Sequence, residues 1–196
     1  NRSIHTLLKN WDEECPLTRE EAVEVLNLPE EEMDSLMECA YALRTKYKGK
    51  KVSVQLLTNV RSGNCTQNCA YCAQSKDSQA EIEKYKRVSD EKLYGDNDLV
   101  DEKHLARHCI GLSGIGFSDE EIEDLADRIR EMKKKDTQIC CSIGFLTEKQ
   151  ARILKDAGLD RINHNLNSSR SFYPEICTTH TYDQRVNNIK MLQSLG

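Results

Sequence analysis

The strongest constraint on the fold is a rhythm. From residue 50 onward, short apolar runs with strand character alternate four times with longer helical patterns. Val52, Val54 and Leu56 alternate in a run that ends near Val60. Further strand patterns cover 106–114, 138–144 and 161–166. A weak helical pattern over 89–104, interrupted by Gly95, follows the first strand. The second is followed by Ser118-Asp119-Glu120-Glu121, a helix start, and by Ile122, Leu125, Ala126 and Ile129 on one face. Helices over 148–158, stopped by Gly158, and over 182–196 follow the third and fourth. Such alternation predicts an α/β fold with parallel strands and right-handed crossovers. Four βα units are half of a (β/α)8 TIM-type barrel, which usually takes about 250 residues. Residues 50–196 therefore read as the first half of a barrel, the rest being expected beyond this chain.

Residues 1–49 read as an N-terminal helical extension, a hairpin packed on the larger body. Thr18 and Glu21 have capping-box spacing, and Pro29 restarts a second helix with Met33, Leu36, Met37, Ala40 and Leu43 at helical intervals. No run of ~18 uncharged apolar residues is present, so a transmembrane helix is excluded. No secretory pattern opens the chain, and the expectation is a cytoplasmic protein. A net charge of −5 without a basic stripe gives no electrostatic case for nucleic acid.

Nine cysteines stand at 15, 39, 65, 69, 72, 109, 140, 141 and 177. An odd count without an export signal argues for reduced thiols, and so against a disulfide-stapled extracellular domain. Cys65, Cys69 and Cys72 are spaced C-x3-C-x2-C on one short loop. Three thiolates there suit an iron–sulfur cluster with one iron left open to an outside ligand. Structural zinc wants a fourth protein ligand, and no neighbouring His completes such a site. The loop follows the first strand, at the end of the barrel where active sites form.

Cys109 and Cys140 lie within the second and third strands. Asn163 and Asn165 share one face of the fourth, as do Cys140 and Ser142 of the third. Polar side chains aimed into a barrel need partners, and a bound ligand supplies them. Cys141 points the other way. Cys15, Cys39 and Cys177 carry no spacing signal and read as structural or incidental, and Trp11 and the five His suggest no site. Arg185, at the start of the last helix, suits a carboxylate ligand as well as it suits solvent.

These residues resemble the radical S-adenosylmethionine superfamily, whose hallmark is C-x3-C-x-aromatic-C, here Cys65, Cys69, Tyr71 and Cys72. Within it the chain is similar to the biotin synthase family. The supporting stretches are Asn59-Val60-Arg61-Ser62-Gly63, Cys72-Ala73-Gln74-Ser75, ARHCIGLSG, ICCSIGFLT, INHNLNSS and PEICTTHTYDQR, in order over residues 17–196.

The resemblance implies that Cys65, Cys69 and Cys72 hold a [4Fe–4S] cluster whose open iron binds S-adenosylmethionine. One-electron reduction would then release a 5′-deoxyadenosyl radical that abstracts hydrogen from dethiobiotin. Sulfur would come from an auxiliary iron–sulfur cluster, commonly [2Fe–2S], with Cys109 and Cys140 as two of its ligands. Asn165 would contact substrate and S-adenosylmethionine, with Asn163 nearby. Arg185 would pair with the methionine carboxylate, and Tyr71 would lie near the adenine. Where the family often carries Asp for the ribose hydroxyls this chain has Asn167, which bonds hydroxyls without charge assistance. A low-potential donor such as flavodoxin or ferredoxin is implied, and a homodimer is compatible. The rivals are another radical enzyme on the same scaffold (maturase, methylase or thiolase) and a zinc-stabilised binding module without catalysis.

Overall fold

The computed structural model describes residues 17–196. His5 and Trp11, read above as suggesting no site, and Cys15, read as structural or incidental, lie outside the described residues. The chain divides into two compact units, Asn1–Val52 and Ser53–Gly196.

In the first unit, α1 (Arg19–Leu26) starts at a complete capping box, Thr18 and Glu21 each satisfying the other's backbone N–H. A 3-10 turn (Glu30–Glu32) behind Pro29 leads into α2 (Met33–Lys48). Leu17, Val25, Leu28, Leu36 and Cys39 pack together, half-buried. Met33 and Met37 remain exposed, so the apolar stripe of α2 is narrower than its spacing predicts.

The second unit runs β1 (Gln55–Arg61), α3 (Asp90–Glu102), β2 (Arg107–Leu112), α4 (Asp119–Met132), β3 (Ile139–Ser142), α5 (Glu148–Asp156), β4 (Arg161–Asn163), α6 (Tyr173–Ile176) and α7 (Tyr182–Ser194). The strands form one parallel sheet in the order β1-β2-β3-β4, the arrangement of an α/β fold built from successive crossovers. Side-chain oxygens of Ser89, Ser118, Thr147 and Thr181 each accept a backbone N–H in the first turn of the helix they precede. These short polar caps place the helix starts where the sequence predicts them.

Several boundaries differ from expectation: β1 begins at Gln55, leaving Val52 and Val54 outside it, and β2 stops at Leu112. The third and fourth strands are shorter, ending at Ser142 and Asn163. Beyond Ser142 the chain crosses the backbone of Ile115, whose carbonyl accepts the Phe145 N–H at 2.7 Å. A Cβ on Gly144 would meet that carbonyl oxygen at 2.4 Å, so only glycine allows the approach. Gly95 does not interrupt α3, because burial of Leu93, Asn97 and Val100 on one side outweighs the ~1 kcal/mol cost of a helical glycine. The short helix α6 carries no periodic signal long enough to read.

The sheet has two unlike faces. Thr58, Ile110, Cys141 and Ile162 align across the strands on the helix side. There Ile110, Cys141 and Ile162 join one core with Leu93 and Val100 of α3, Ile122, Leu125 and Ile129 of α4, and Leu154 of α5. Buried His108 also faces that side. Its Nε2 lies 2.8 Å from the Thr58 hydroxyl and its Nδ1 3.2 Å from Asn97 Oδ1, and the Thr58 hydroxyl donates to Asp96 at 2.7 Å. The opposite face carries two rows, Leu57–Cys109–Cys140–Arg161 and Asn59–Gly111–Ser142–Asn163.

Candidate cluster and cofactor site

The loop joining β1 to α3 is tied down at several points. Ser62 and Tyr85 exchange backbone hydrogen bonds at 3.0 and 3.1 Å, closing the loop at its base. Gly63, at φ +69°, donates to Gln74 Oε1 at 2.8 Å, and its carbonyl accepts the Ser113 hydroxyl at 2.6 Å. A Cβ on Gly63 would also press on the Lys84 side chain, 2.6 Å away.

A second clamp ties the loop to the segment after α6. The Asn68 carboxamide oxygen accepts the N–H groups of Thr178 and Thr179 at 3.0 and 3.2 Å, and its NH2 donates to the Thr178 hydroxyl at 2.7 Å. The Ala70 N–H donates to the Ile176 carbonyl at 2.9 Å. Two loops far apart in the chain thereby become one wall.

That wall borders a cavity of about 220 Å³ at the carboxyl ends of the strands. Cys65, Cys69 and Cys72 line it together with Tyr71, Asn163, Asn165, Asn167 and Arg185. Asn167, at φ +65°, donates from Nδ2 to the Tyr71 hydroxyl at 2.6 Å. Asn is one of the few residues that takes this backbone region readily. Arg185 Nε–H is shared between the Tyr173 hydroxyl at 2.6 Å and His180 Nε2 at 3.2 Å, and its guanidinium lies over the Phe145 ring. The Arg185 side chain is thus fixed and half-buried rather than freely solvated.

The thiols differ in their surroundings. Burial, and then the neighbouring Cys177, push the Cys69 thiol up to about 11. Burial works against a Cys177 thiolate, but the Thr179 hydroxyl and the N–H groups of His180 and Thr179 outweigh it and hold that thiol below its usual value. Burial, and then the Arg185 charge, bring His180 down to about 4, so its imidazole is neutral near pH 7. Burial raises the Tyr71 phenol to about 12, with Cys69 adding to the shift.

Cys109 and Cys140 are direct register partners on β2 and β3, outside the cavity lining, with Cys109 half-buried and Cys140 buried. The Cys109 thiol donates to Gln55 Oε1 at 3.0 Å. Burial and the nearby Cys109 raise the Cys140 thiol, while Arg107 and Arg161 oppose the rise. Cys141 is fully buried on the opposite face.

Residues 59–196 match the family described as the Radical SAM superfamily. The chain belongs to the radical SAM superfamily. It is 39% identical over 181 residues to a biotin synthase of Geobacillus kaustophilus (strain HTA426), covering 92% of this chain and 54% of that protein. It is 40% identical over 181 residues to the biotin synthase of Bacillus subtilis (strain 168), with the same coverage. The chain thus spans about half the length of these curated relatives. Among solved structures it resembles methylornithine synthase (PylB), with a TM-score of 0.81 at 16% identity over 97% of this chain and 55% of that one. It also resembles the FeFe-hydrogenase maturase HydG from Carboxydothermus hydrogenoformans, with a TM-score of 0.79 at 21% identity over 98% and 45% of the two chains. These two likenesses show the fold.

The residues present fit the groups that a radical SAM protein uses. Among the described residues, the one set of His, Cys, Asp or Glu whose ligand atoms all lie within 4.8 Å is Cys69, Cys177 and His180. Cys65, Cys69 and Cys72 offer three thiols to one cavity, the donor set that an iron–sulfur cluster takes. His164 lines the cavity, where burial and then the Arg185 charge hold its imidazole below its ordinary value, against the Ile143 backbone.

Three residues correct the sequence reading. Cys177 is not incidental: it is buried, with its Sγ 3.8 Å from that of Cys69. His164 and His180 line the cavity, although the histidines had suggested no site. The C-x2-H spacing of Cys177 and His180 was the available signal, and it is weak without its partners.

Proposed function

We propose that the complete protein is a radical SAM sulfur-inserting enzyme that converts dethiobiotin to biotin. The observation that carries this reading is the second thiol pair: Cys109 and Cys140 sit side by side in register, on the face that also carries Asn163. Radical chemistry alone needs only the three-cysteine loop, whereas a sulfur donor needs ligands of its own. Identity of 39–40% to two biotin synthases supports the substrate.

In this reading Cys65, Cys69 and Cys72 hold a [4Fe–4S] cluster, and Cys109 and Cys140 supply two ligands of an auxiliary [2Fe–2S] cluster. When bound, the first cluster with S-adenosylmethionine supplies hydrogen-abstraction chemistry and the auxiliary cluster supplies sulfur. Arg185, pre-set by Tyr173 and His180, pairs with the methionine carboxylate, so little side-chain entropy is lost on binding. Tyr71 and Asn167 form a joined rim for the adenosine, Asn167 meeting the ribose hydroxyls with a neutral amide. Asn163 and Asn165 offer donor and acceptor to the cyclic urea of dethiobiotin and to the cofactor. A low-potential flavodoxin or ferredoxin supplies electrons in the cytoplasm.

The test uses the complete protein, purified without oxygen and loaded with both clusters, given S-adenosylmethionine, a low-potential reductant and dethiobiotin. Biotin with about two 5′-deoxyadenosines each, one per abstracted hydrogen, is the expected result. Deoxyadenosine without biotin moves the substrate elsewhere within the superfamily. Neither product from protein with full iron and sulfide overturns the catalytic reading.

A further inference from the structure

Cys177 belongs to no role derived so far, yet its sulfur meets one of the three loop thiols. Its Sγ lies 3.8 Å from Cys69 Sγ. A disulfide has an S–S bond of about 2.05 Å, so each sulfur has to travel only about 0.9 Å to form one. The two residues stand 108 positions apart, so the fold makes the encounter.

The backbone is clamped on both sides of the pair. The Asn68 carboxamide oxygen accepts the N–H groups of Thr178 and Thr179, and the Ala70 N–H donates to the Ile176 carbonyl. Asn68 and Ala70 flank Cys69, while Ile176 and Thr178 flank Cys177. The closure of a long loop, which is the main entropic cost of joining distant residues, is therefore already met by the fold. A small oxidant has a route to each sulfur. Cys69 borders the cavity at the strand ends. Cys177 borders a second cavity, of about 340 Å³, which Tyr173, Thr181 and Tyr182 also line.

We propose that Cys69 and Cys177 form an oxidation site, at which a hydroperoxide joins them as a disulfide in the cluster-free protein. The peroxide passes one oxygen to the first thiol, giving a sulfenic acid and water. The second thiol attacks that sulfur, the S–S bond forms, and the hydroxyl leaves as water with the thiol proton. Two thiols thus lose two electrons and two protons to one hydrogen peroxide, which ends as two waters. A dithiol reverses the step by exchange. The bond takes Cys69 Sγ away from any cluster, so the oxidised loop cannot be loaded until it is reduced. That effect on loading rests on the cluster reading given above, whereas the bond itself does not.

The experiment treats the complete, reduced, cluster-free protein with hydrogen peroxide and blocks the remaining thiols with iodoacetamide. Cross-linked peptides are then mapped by mass spectrometry without reductant. The Cys69–Cys177 peptide is expected as the main cross-link in the wild type and in the C65S/C72S double variant. In urea the pairing of Cys69 should shift to Cys65 and Cys72, which are close along the chain, because nothing then holds Cys177 near. Folded protein in which Cys69 pairs elsewhere or stays unpaired overturns the site, and so does a Cys69–Cys177 yield no higher than in urea. Iron and sulfide uptake should fall in proportion to the fraction cross-linked and return with dithiothreitol. Cys177→Ser treated alike should keep more of its uptake, and equal loss in both proteins overturns the effect on loading. Reduced wild-type protein that takes up no cluster at all would defeat the cluster reading and leave the mapped bond standing.

Discussion

The two faces of the parallel sheet divide its labour. On the helix side, Ile110 and Cys141 are fully buried, and the polar groups present are paired with one another. On the cavity side, Leu57 is 64% exposed, and the neighbouring positions are Cys109, Cys140, Arg161, Asn59, Ser142 and Asn163. Adjacent residues of one strand fall on opposite sides of this division, since side chains alternate with a period of two. One face of the four strands therefore carries the packed core, and the other carries the residues to which the proposed function assigns the chemistry.

The sharpest way to break this comparison is to truncate a residue on each face. Ile110→Ala should cost about 2–5 kcal/mol, the range for a buried large-to-small change, and Cys109→Ala under about 1 kcal/mol. Chemical denaturation of the complete cluster-free protein reads both. Equal losses would show that the cavity face also carries the fold.

The buried histidine comes next in size. Burial holds His108 down to about 4, against an ordinary value of 6.5. Unfolded chains take up that proton in the window between 4 and 6.5 and folded ones do not. The contribution of His108 is therefore complete above pH 6.5 and is lost as pH falls toward 4, by at most about 3 kcal/mol. Urea unfolding at pH 7, 5.5 and 4.5 measures the slope, and His108→Gln should flatten it.

The paired cysteines give a finer contrast. Cys141→Ser places a hydroxyl in an apolar site and should destabilise by about 1–3 kcal/mol without changing iron content. Cys140→Ser should leave the unfolding midpoint nearly unchanged and lower the auxiliary iron per chain. The smallest effect belongs to Gly95, where nothing lies within 4 Å of an added Cβ. Gly95→Ala should stabilise by about 0.5–1 kcal/mol in thermal unfolding, by removing helix-interior glycine entropy.

Much of this architecture was legible beforehand. The capping boxes at Thr18 and Ser118 and the four strand–helix repeats depend on residues within a few positions of each other. The C-x3-C-x2-C loop is equally local, and its place after the first strand marks it as a site. The uninterrupted α3 was not legible. Gly95 weakens the local signal, and only burial of Leu93 and Val100 under α4 and the sheet restores the helix.

By itself, the amino-acid order determined the parallel α/β plan, the three-thiol loop, and which face of each strand Cys109, Cys140 and Asn163 occupy. Only the tertiary structure decided that Cys177 meets Cys69 across 108 residues, and that His180 meets Gln67 across 113. The reason is physical. Helix and strand periodicities and loop spacings are short-range patterns, legible along the chain. The meeting of two loops depends on how far each strand runs before its ladder ends, and on a few long-range bonds such as those of Asn68. Those quantities exist only once the sheet has assembled.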